Sequence, residues 1–429
     1  MVTAEAFQIF CENIRVKNKS DISTKYTAIT SCLNKAYWNT ESEYAHCLQV
    51  GSYGRKTGIA GISDLDMVFE LPLAIKDRFN SHTNNGQSAL LQEVKGYLCK
   101  KYPTTTGIKG DGQVVVINFK SIRVEVLPSF RQSDDSYLHP DTKDGGTWDY
   151  TNPKPEIAAV AELDNESNGC YRNLCRMVRA WKDNVGLNIG GWLIDTLCYN
   201  LITSNKKYYS YQFDDYASLC CDFFDYLANL DEDTEYWISP GSNQEVPKKT
   251  NFIPKAKKTL KKALDAISAE GDSAATKIWS EIFGRKFPVI ESMKKALESA
   301  PTFTDTENFI ENLYDVDIQN TVQIECEVKQ DGFRTAVLSM MPYLNPSKKL
   351  RFFIHKIDVE EPYEVYWKVR NVGPVAERRN NIRGQVFKDK GYKTHHDSSL
   401  FSGPHFVECY IVKDDVCVAR DKIDVQIKE

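Results

Sequence analysis

The chain has 429 residues, which is long for one domain and predicts about two or three. Hydrophobic residues make up 41% and charged residues 26%, an ordinary balance for a globular protein. A net charge of −5 argues against adhesion of the whole surface to DNA or to acidic membranes, although it leaves room for a local basic groove.

The N-terminal segment and the cysteines predict a cytoplasmic protein. Residues 1–21 contain no basic segment followed by an apolar core, so we expect no signal peptide. No stretch approaches about 18 consecutive apolar residues, so we expect no transmembrane helix and no membrane partner. Twelve cysteines are scattered from Cys11 to Cys417 without a CxxC pair, which is typical of reduced and buried thiols.

The first 130 residues alternate between helical and strand-like patterns. Helical spacing marks residues 5–35 and 88–102. Runs of β-branched and alternating residues predict strands at 46–54, 64–72, 114–119 and 122–130. This order predicts a small mixed sheet with helices packed around it.

The rest of the chain changes character twice. From about residue 150 to 300 the apolar period is helical, with predicted helices at 172–185, 190–202, 216–230 and 256–267. After about residue 320, short β-branched and aromatic runs alternate with turn residues, which favours a β-sandwich. We therefore predict an α+β protein with a mixed core at 1–155, a helical lobe at 156–305 and an all-β module at 320–429, with a boundary within 298–309.

A pair of aspartates in the second predicted strand is the first candidate site. Asp64 and Asp66 project from the same side, because side chains alternate along a strand. Two such carboxylates repel each other unless a cation lies between them, and rigid oxygen ligands suit Mg²⁺. Glu125, between two valines on another predicted strand, offers a third carboxylate. We expect these three acids to be catalytic and to hold two Mg²⁺ ions, with Mn²⁺ as an alternative.

A Gly-Ser turn precedes these acids. Glycine at position 51 would let backbone N–H groups approach the β- and γ-phosphates of a nucleotide closely, and the Ser52 hydroxyl could donate as well. An isolated DxD or Gly-Ser dipeptide is more often an ordinary surface feature, so the prediction depends on the combination. Together they predict in-line attack of a ribose hydroxyl on an α-phosphorus, assisted by two metal ions.

These residues carry a family resemblance. The segment 51–72 resembles the GS…DxD signature of polymerase-β-like nucleotidyltransferases and, more narrowly, of the bacterial CD-NTases, relatives of cyclic GMP–AMP synthase and oligoadenylate synthase. The spacing of Thr57 and Ser63 before the aspartates is typical of that group. With IRVEVLPSF resembling the third-acid strand and WSEIFGRKFP the closing segment, the resemblance covers about residues 40–290.

The resemblance implies a fold and an activity. The fold is a polymerase-β-like core with a helical second lobe. The activity is the joining of NTPs, ATP among them, into a cyclic oligonucleotide with release of pyrophosphate. The family context implies antiphage defence, in which the product activates a separate effector protein.

The predicted helix at 172–185 carries a basic stripe. Arg176, Arg179 and Lys182 lie three residues apart, which predicts either a solvated basic face or a clamp for the triphosphate. The resemblance favours Lys182 as the main phosphate contact, with Arg176 beside it. Relatives often carry serines where this chain has Gly190–Gly191, so a hydroxyl contact to phosphate is missing or replaced by backbone N–H.

A lysine-rich segment at 248–262 could follow a polyanion. Leu260, Ala263, Leu264 and Ile267 would give its helix a normal buried stripe. We therefore interpret the lysines as solvated surface.

The C-terminal module resembles the AGS-C domain, a sensor domain attached to some CD-NTases, in segments 363–373 and 380–387. Trp367, Arg370 and Arg383 offer a stacking plane and two guanidinium groups, which suit a nucleotide or another anionic ligand. A core tryptophan with two surface arginines is an equally natural interpretation.

Two other functions remain open. The enzyme could make a linear oligonucleotide, or the chain could be a catalytically silent nucleotide-binding regulator. The intact set of three acids argues against the second. A transferase acting on tRNA or antibiotics is disfavoured by the β module and the acidic charge balance.

Overall fold

The computed structural model describes residues 2–16, 19–61, 64–290, 307–329, 335–341, 343–379 and 381–428. The chain divides into two compact units, Met1–Tyr26 with Gln49–Ala300 and Thr27–Leu48 with Pro301–Glu429. Most of the predicted boundary at 298–309 lies outside the described residues, as does Ser63. The predicted mixed core and helical lobe both fall mainly in the first unit.

Up to residue 290 the described helices are α1 (Val2–Ile14), α2 (Lys19–Tyr37), α3 (Gly51–Gly54), α4 (Leu73–Asn80), α5 (Gly86–Lys101), α6 (Pro153–Glu166), α7 (Cys170–Asn184), α8 (Gly191–Ser204), α9 (Tyr216–Ala228), α10 (Ile253–Ile267) and α11 (Asp272–Phe283). The strands of the same part are β1 (Cys47–Val50), β2 (Leu65–Glu70), β3 (Ile108–Asp111), β4 (Val114–Asn118), β5 (Arg123–Arg131), β6 (Tyr137–Asp141), β7 (Thr147–Thr151), β8 (Tyr236–Ile238) and β9 (Glu245–Pro247).

A mixed sheet forms the centre of the first unit. It has seven strands, with the order β1-β2-β5-β4-β3, and β6 joins β5 to β7. Strands β2 and β5 are parallel, whereas β5 is antiparallel to β4. Along β5 the side chains of Val124 and Val126 are buried, and those of Arg123, Glu125 and Leu127 on the opposite face are partly exposed. The open face of β5 is therefore the polar one, as its alternation predicts.

The helical part packs around α7. Almost every position of α7 is buried, and its apolar side chains join one core with residues of α1, α8, α9 and α11. Trp181 and Trp279 are among the largest fully buried side chains of this core. A helix enclosed on most sides buries its polar residues too, so the arginines of α7 need partners inside the protein.

The Gly-Ser turn predicted after the first strand is confirmed, since β1 ends at Val50 and the chain turns at Gly51, whose φ is +62°, into the single helical turn of α3. Two other sequence-based predictions of local structure were wrong. The helix predicted at 5–35 is two helices. On α10 the buried stripe is made of small residues such as Ala256 and Ala263, whereas Leu264 and Ile267 are 51% and 50% exposed.

Further along the chain the described elements are β10 (Asp315–Val316), β11 (Val322–Lys329), β12 (Ala336–Val337), β13 (Lys349–Ile357), β14 (Glu364–Arg370), α12 (Pro374–Arg378), β15 (Arg383–Lys388), β16 (Thr394–Ser398), β17 (Gly403–Lys413) and β18 (Val416–Ile427). They form a five-stranded sheet, β10-β18-β17-β14-β15, and a four-stranded sheet, β12-β11-β13-β16. One apolar core, which includes Phe352, Trp367 and Cys409, draws side chains from both sheets. The predicted all-β C-terminal module is confirmed.

Two expectations from composition can be compared with the structure. None of the described helices combines the length and hydropathy needed to cross a membrane. All twelve cysteines lie within the described residues, and all except Cys32 and Cys99 are buried.

Candidate active site

The turn after β1 is built around Gly51. Its φ of +62° lies in the left-handed region, which favours glycine. A Cβ added there would lie 1.9 Å from Oδ2 of Asp66 and 2.7 Å from its Cγ. The missing side chain is therefore what lets the carboxylate of Asp66 pack directly against the turn that carries Ser52.

The two strands that carry the predicted acids are neighbours. Parallel pairing of β2 and β5 sets Asp66 opposite Glu125 in register. Because alternation is shared along paired strands, both side chains project from the same face of the sheet. Asp64 lies two residues before Asp66, and its half-exposed carboxylate is 3.6 Å from the guanidinium of Arg123, the residue two before Glu125. The fold thus brings the three acids to one face.

Like charges make this face electrostatically unbalanced. Burial, followed by the negative charge of Glu125, raises the pKa of Asp66 from 3.8 to about 7. Burial also raises the pKa of Asp64. Tyr53, on the turn, belongs to the same cluster, since burial and then the charges of the two aspartates raise the pKa of its hydroxyl to about 12. Tyr53 was not among the predicted site residues, although its position next to Ser52 was a usable signal.

One arginine bridges two of the acids. Arg123 donates from Nη2 to Oε1 of Glu125 at 2.5 Å, and its Nε lies 3.6 Å from Oδ2 of Asp64. Within the described residues, no group of three or more His, Cys, Asp or Glu side chains is already close enough to hold a metal ion. The donor set is nevertheless all carboxylate oxygen, which suits Mg²⁺. The guanidinium of Arg123 already lies against Asp64 and Glu125, which supports the fit of this face to a cation.

A second cluster of charges lies beneath the turn, around Asp195 of α8. Asp195 is fully buried and accepts hydrogen bonds from Arg179 at 2.5 and 2.9 Å, from Arg55 at 3.0 Å and from Thr57 at 2.9 Å. Burial by itself would raise the pKa of Asp195, but the charges of Arg179 and Arg55 hold it below its ordinary value. This cluster fixes the segment that follows the Gly-Ser turn to α7 and α8.

The basic stripe of α7 is neither a uniform clamp nor a solvated face. Arg179 is committed to Asp195, which corrects its interpretation as a phosphate ligand. Arg176 donates to the backbone oxygen of Lys56 at 2.5 Å and to Oδ1 of Asn173 at 3.1 Å, so it braces the chain after the turn. Lys182 is half-buried, and burial and then the charge of Arg179 lower the pKa of its amine.

Two glycines, Gly190 and Gly191, stand beside this network at the start of α8. Arg179 donates from Nη2 to the backbone oxygen of Gly191 at 3.0 Å, and a Cβ at Gly191 would lie 3.4 Å from the same nitrogen. The next residue, Trp192, supports the guanidinium of Arg55 at 4.0 Å from its ring centroid. A Cβ would fit at both glycines without a clash, so the packing of Arg179 does not explain why serine is absent here.

In the C-terminal unit the three predicted ligand residues have different environments. Trp367 is 1% exposed and donates from its indole nitrogen to Asp389 at 3.0 Å, so the interpretation as a stacking plane was wrong and the core interpretation holds. Arg370 pairs with Glu307 at 3.4 Å. Arg383 alone borders a cavity of about 40 Å³, where it pairs with Asp397 at 2.5 Å. Asn380, in the segment that carried the resemblance, lies outside the described residues.

Comparisons with known proteins agree with this architecture. Residues 1–164 match the Second Messenger Oligonucleotide or Dinucleotide Synthetase (SMODS) domain, and residues 304–428 match the Adenylyl/Guanylyl and SMODS C-terminal sensor domain, AGS-C. A cyclic AMP-AMP-AMP synthase of Acinetobacter sp. is 21% identical over 308 residues, which cover 65% of this chain and 85% of the relative.

Solved structures share the fold. The structure of Escherichia coli MS115-1 CdnC in complex with HORMA-deltaN has a TM-score of 0.51 at 13% identity and covers 67% of this chain and 98% of that one. The structure of CdnC with ATP has the same TM-score at 14% identity, with 67% and 99% covered. The chain therefore carries a SMODS domain and a C-terminal AGS-C sensor domain on a polymerase-β-like fold, as expected for a bacterial CD-NTase.

Proposed function

We propose that this enzyme joins NTPs, ATP among them, into a cyclic oligonucleotide second messenger and releases pyrophosphate. The observation that carries the proposal is the register of the sheet, in which Asp66 lies opposite Glu125 and beside the Gly51 turn. Asp64 adds the third acid on the same face. The synthetase description of the matching family and the name of the Acinetobacter relative support the same class of product.

Asp64, Asp66 and Glu125 are the catalytic acids in this proposal, and they would hold two Mg²⁺ ions, with Mn²⁺ able to substitute. Bound there, the ions would supply Lewis-acid stabilisation of the triphosphate and a lower pKa for the attacking ribose hydroxyl. The raised pKa of Asp66 supports this assignment, because it results from burial and then from the negative charge of Glu125, which a bound cation would offset.

The turn and helix α7 hold the triphosphate in this proposal. Gly51 and Ser52 present backbone N–H groups and one hydroxyl to the β- and γ-phosphates. Lys182 adds charge, since it pairs with no carboxylate among the described residues. Arg176 contributes indirectly, by holding the backbone at Lys56.

The test is synthesis from defined substrates. The full chain is incubated with each radiolabelled NTP and with mixtures, in Mg²⁺ and in Mn²⁺, and phosphatase-resistant products are identified by mass spectrometry. A cyclic product is expected. Digestion with nuclease P1 and phosphatase separates it from a linear chain, which would replace the cyclic proposal. Absence of pyrophosphate release with every NTP mixture would favour a silent regulator instead.

The biological role we propose is antiphage defence, in which the nucleotide product activates a separate effector protein. The C-terminal unit would bind a nucleotide or another anionic ligand, such as phosphate, beside Arg383, which borders a cavity of this unit. Synthesis measured with wild type and Arg383→Gln over a phosphate titration tests this second proposal. A phosphate response that is the same in both proteins would contradict it.

A further inference from the structure

Arg123 has an unusual place among the candidate catalytic residues. It lies on β5 two residues before Glu125, so both side chains leave the same face of the strand. Its guanidinium contacts Glu125 at 2.5 Å through Nη2 and approaches Asp64 at 3.6 Å through Nε. That Nε is shielded from solvent and has no hydrogen-bond partner. The guanidinium of Arg123 is therefore held by electrostatic attraction to two carboxylates, and its hydrogen-bonding capacity is only partly used.

The balance of charge explains why an arginine stays there. Three acids share this face, and the neighbouring guanidinium of Arg55 is already committed to Asp195 at 3.0 Å. Among the described residues, Arg123 is the cation that lies within salt-bridge distance of Asp64 and Glu125. It supplies one positive charge where the proposed reaction needs divalent ions.

We propose that Arg123 is an internal counter-cation, which lies between Asp64 and Glu125 in the free enzyme and moves away when nucleotide and metal bind together. The inference rests on the proposed function, because it takes the three acids to be the metal ligands. A triphosphate gives the displaced guanidinium a new anionic partner with matching fork geometry. Without nucleotide the arginine has no such partner, so it competes with a divalent ion for the same carboxylates.

Two consequences follow for the order of binding. The free enzyme binds divalent metal weakly, although its acids converge. Metal and nucleotide bind cooperatively, because each removes a reason for the arginine to remain between the acids. Arg123 is in this sense a positioning residue, which keeps the acids together in the free enzyme.

Metal affinity, measured apart from activity, tests the inference. Binding of Mn²⁺ to the full chain is followed by electron paramagnetic resonance of the free ion, first without nucleotide and then with a non-hydrolysable ATP analogue. Loss of a charge at contact distance from the ligands should tighten binding by about tenfold in Arg123→Gln without nucleotide. The difference should shrink when the analogue is present. Arg123→Lys, which keeps the charge, should bind Mn²⁺ as weakly as wild type.

The matched control is Arg131→Gln. Arg131 lies on the same strand and pairs with Asp135 at 2.5 Å, away from the three acids. The variant Arg131→Gln should therefore leave the Mn²⁺ affinity unchanged. Circular dichroism should show that both proteins are folded. If Arg123→Gln then binds Mn²⁺ no more tightly than wild type, the proposal that Arg123 is a counter-cation is wrong.

A second variant distinguishes an error in the role of Arg123 from an error in the proposed metal site. The double variant Asp64→Asn plus Asp66→Asn removes two of the three proposed ligands. If wild type with the analogue binds Mn²⁺ and this variant does not, the metal site stands whatever Arg123 does. If the double variant binds Mn²⁺ like wild type, the site itself is wrong.

Discussion

Two charged regions lie close together in the first unit and are built on opposite principles. Around Asp195 a single buried carboxylate receives two arginines and a threonine hydroxyl, and its pKa is held low. On the sheet face three carboxylates share one arginine, and the pKa of Asp66 rises to about 7. In the first region the negative charge is balanced by positive partners, whereas in the second the negative charges outnumber the positive ones.

The difference separates structural charge from functional charge. A buried charge whose partners are all present stabilises the arrangement of its neighbours and has nothing left to offer a ligand. A cluster of like charges costs folding free energy and persists where a ligand of opposite charge completes it. Changes in the two regions should therefore have opposite effects on stability and on activity.

The largest effect is expected from Asp64→Asn plus Asp66→Asn. This double variant should make no detectable oligonucleotide, because it removes two of the three proposed metal ligands. Its free energy of unfolding without metal should equal or exceed that of wild type, since the carboxylate repulsion is gone. Mass spectrometry of the products and urea denaturation check the two parts.

A control for this variant is Asp134→Asn plus Asp135→Asn, another closely spaced pair, at the turn after β5. It should retain synthesis. Retained synthesis in the Asp64 and Asp66 variant would reject the site.

Asp195→Asn should produce the largest loss of stability. The substitution keeps the size of the side chain but leaves Arg179 buried without a negative partner and Arg55 with only the carboxylate of Glu156, at 3.7 Å, so it should cost about 3–5 kcal/mol. Urea denaturation measures the loss. A change of less than about 1 kcal/mol would show that the cluster is not the structural brace described here.

Gly51→Ala should affect both properties to an intermediate degree. A left-handed alanine costs about 1–2 kcal/mol of stability. Its Cβ would also lie 1.9 Å from Oδ2 of Asp66 and would push that carboxylate away. Because a proposed metal ligand is then misplaced, activity should fall by about 100-fold.

Gly61→Ala separates the two effects. Gly61 has a φ of +81° with open space around its Cβ position, so the variant carries the same backbone strain without the clash. Equal activity in the two variants would contradict the role given to the contact between Gly51 and Asp66.

The remaining prediction concerns pH. Because the pKa of Asp66 is about 7 in the folded chain and near 3.8 when unfolded, the folded state binds more protons between these values. This carboxylate therefore lowers the free energy of unfolding as pH rises from about 4 to about 7, by at most about 1.4 kcal/mol per pH unit. The effect of Asp195 on the free energy of unfolding has the opposite sign, because its lowered pKa contributes stability that is lost as pH falls below about 4.

Urea midpoints of wild type and Asp66→Asn between pH 4 and 8, without metal, test this sign. The advantage of the variant should grow toward pH 7. A constant difference would show that Asp66 has an ordinary pKa.

The two regions were also unequally predictable from the sequence. The pair Asp64 and Asp66 follows from a local pattern, because alternation along a strand puts both on one face. Glu125 joins them only through the pairing of β2 with β5, which the local pattern does not fix. The Asp195 cluster depends on partners 140 and 16 residues away, so nothing in the helical pattern around Arg179 indicated its pairing. Trp367 was ambiguous for the same reason, since its burial depends on how two sheets pack.

The most direct test of the central claim is a crystal structure with Mn²⁺ and a non-hydrolysable ATP analogue, using anomalous scattering to locate manganese. We expect two anomalous peaks on the face shared by Asp64, Asp66 and Glu125, each within about 2.5 Å of carboxylate oxygen. Manganese bound only elsewhere, or Glu125 turned away from both aspartates while nucleotide is present, would contradict it.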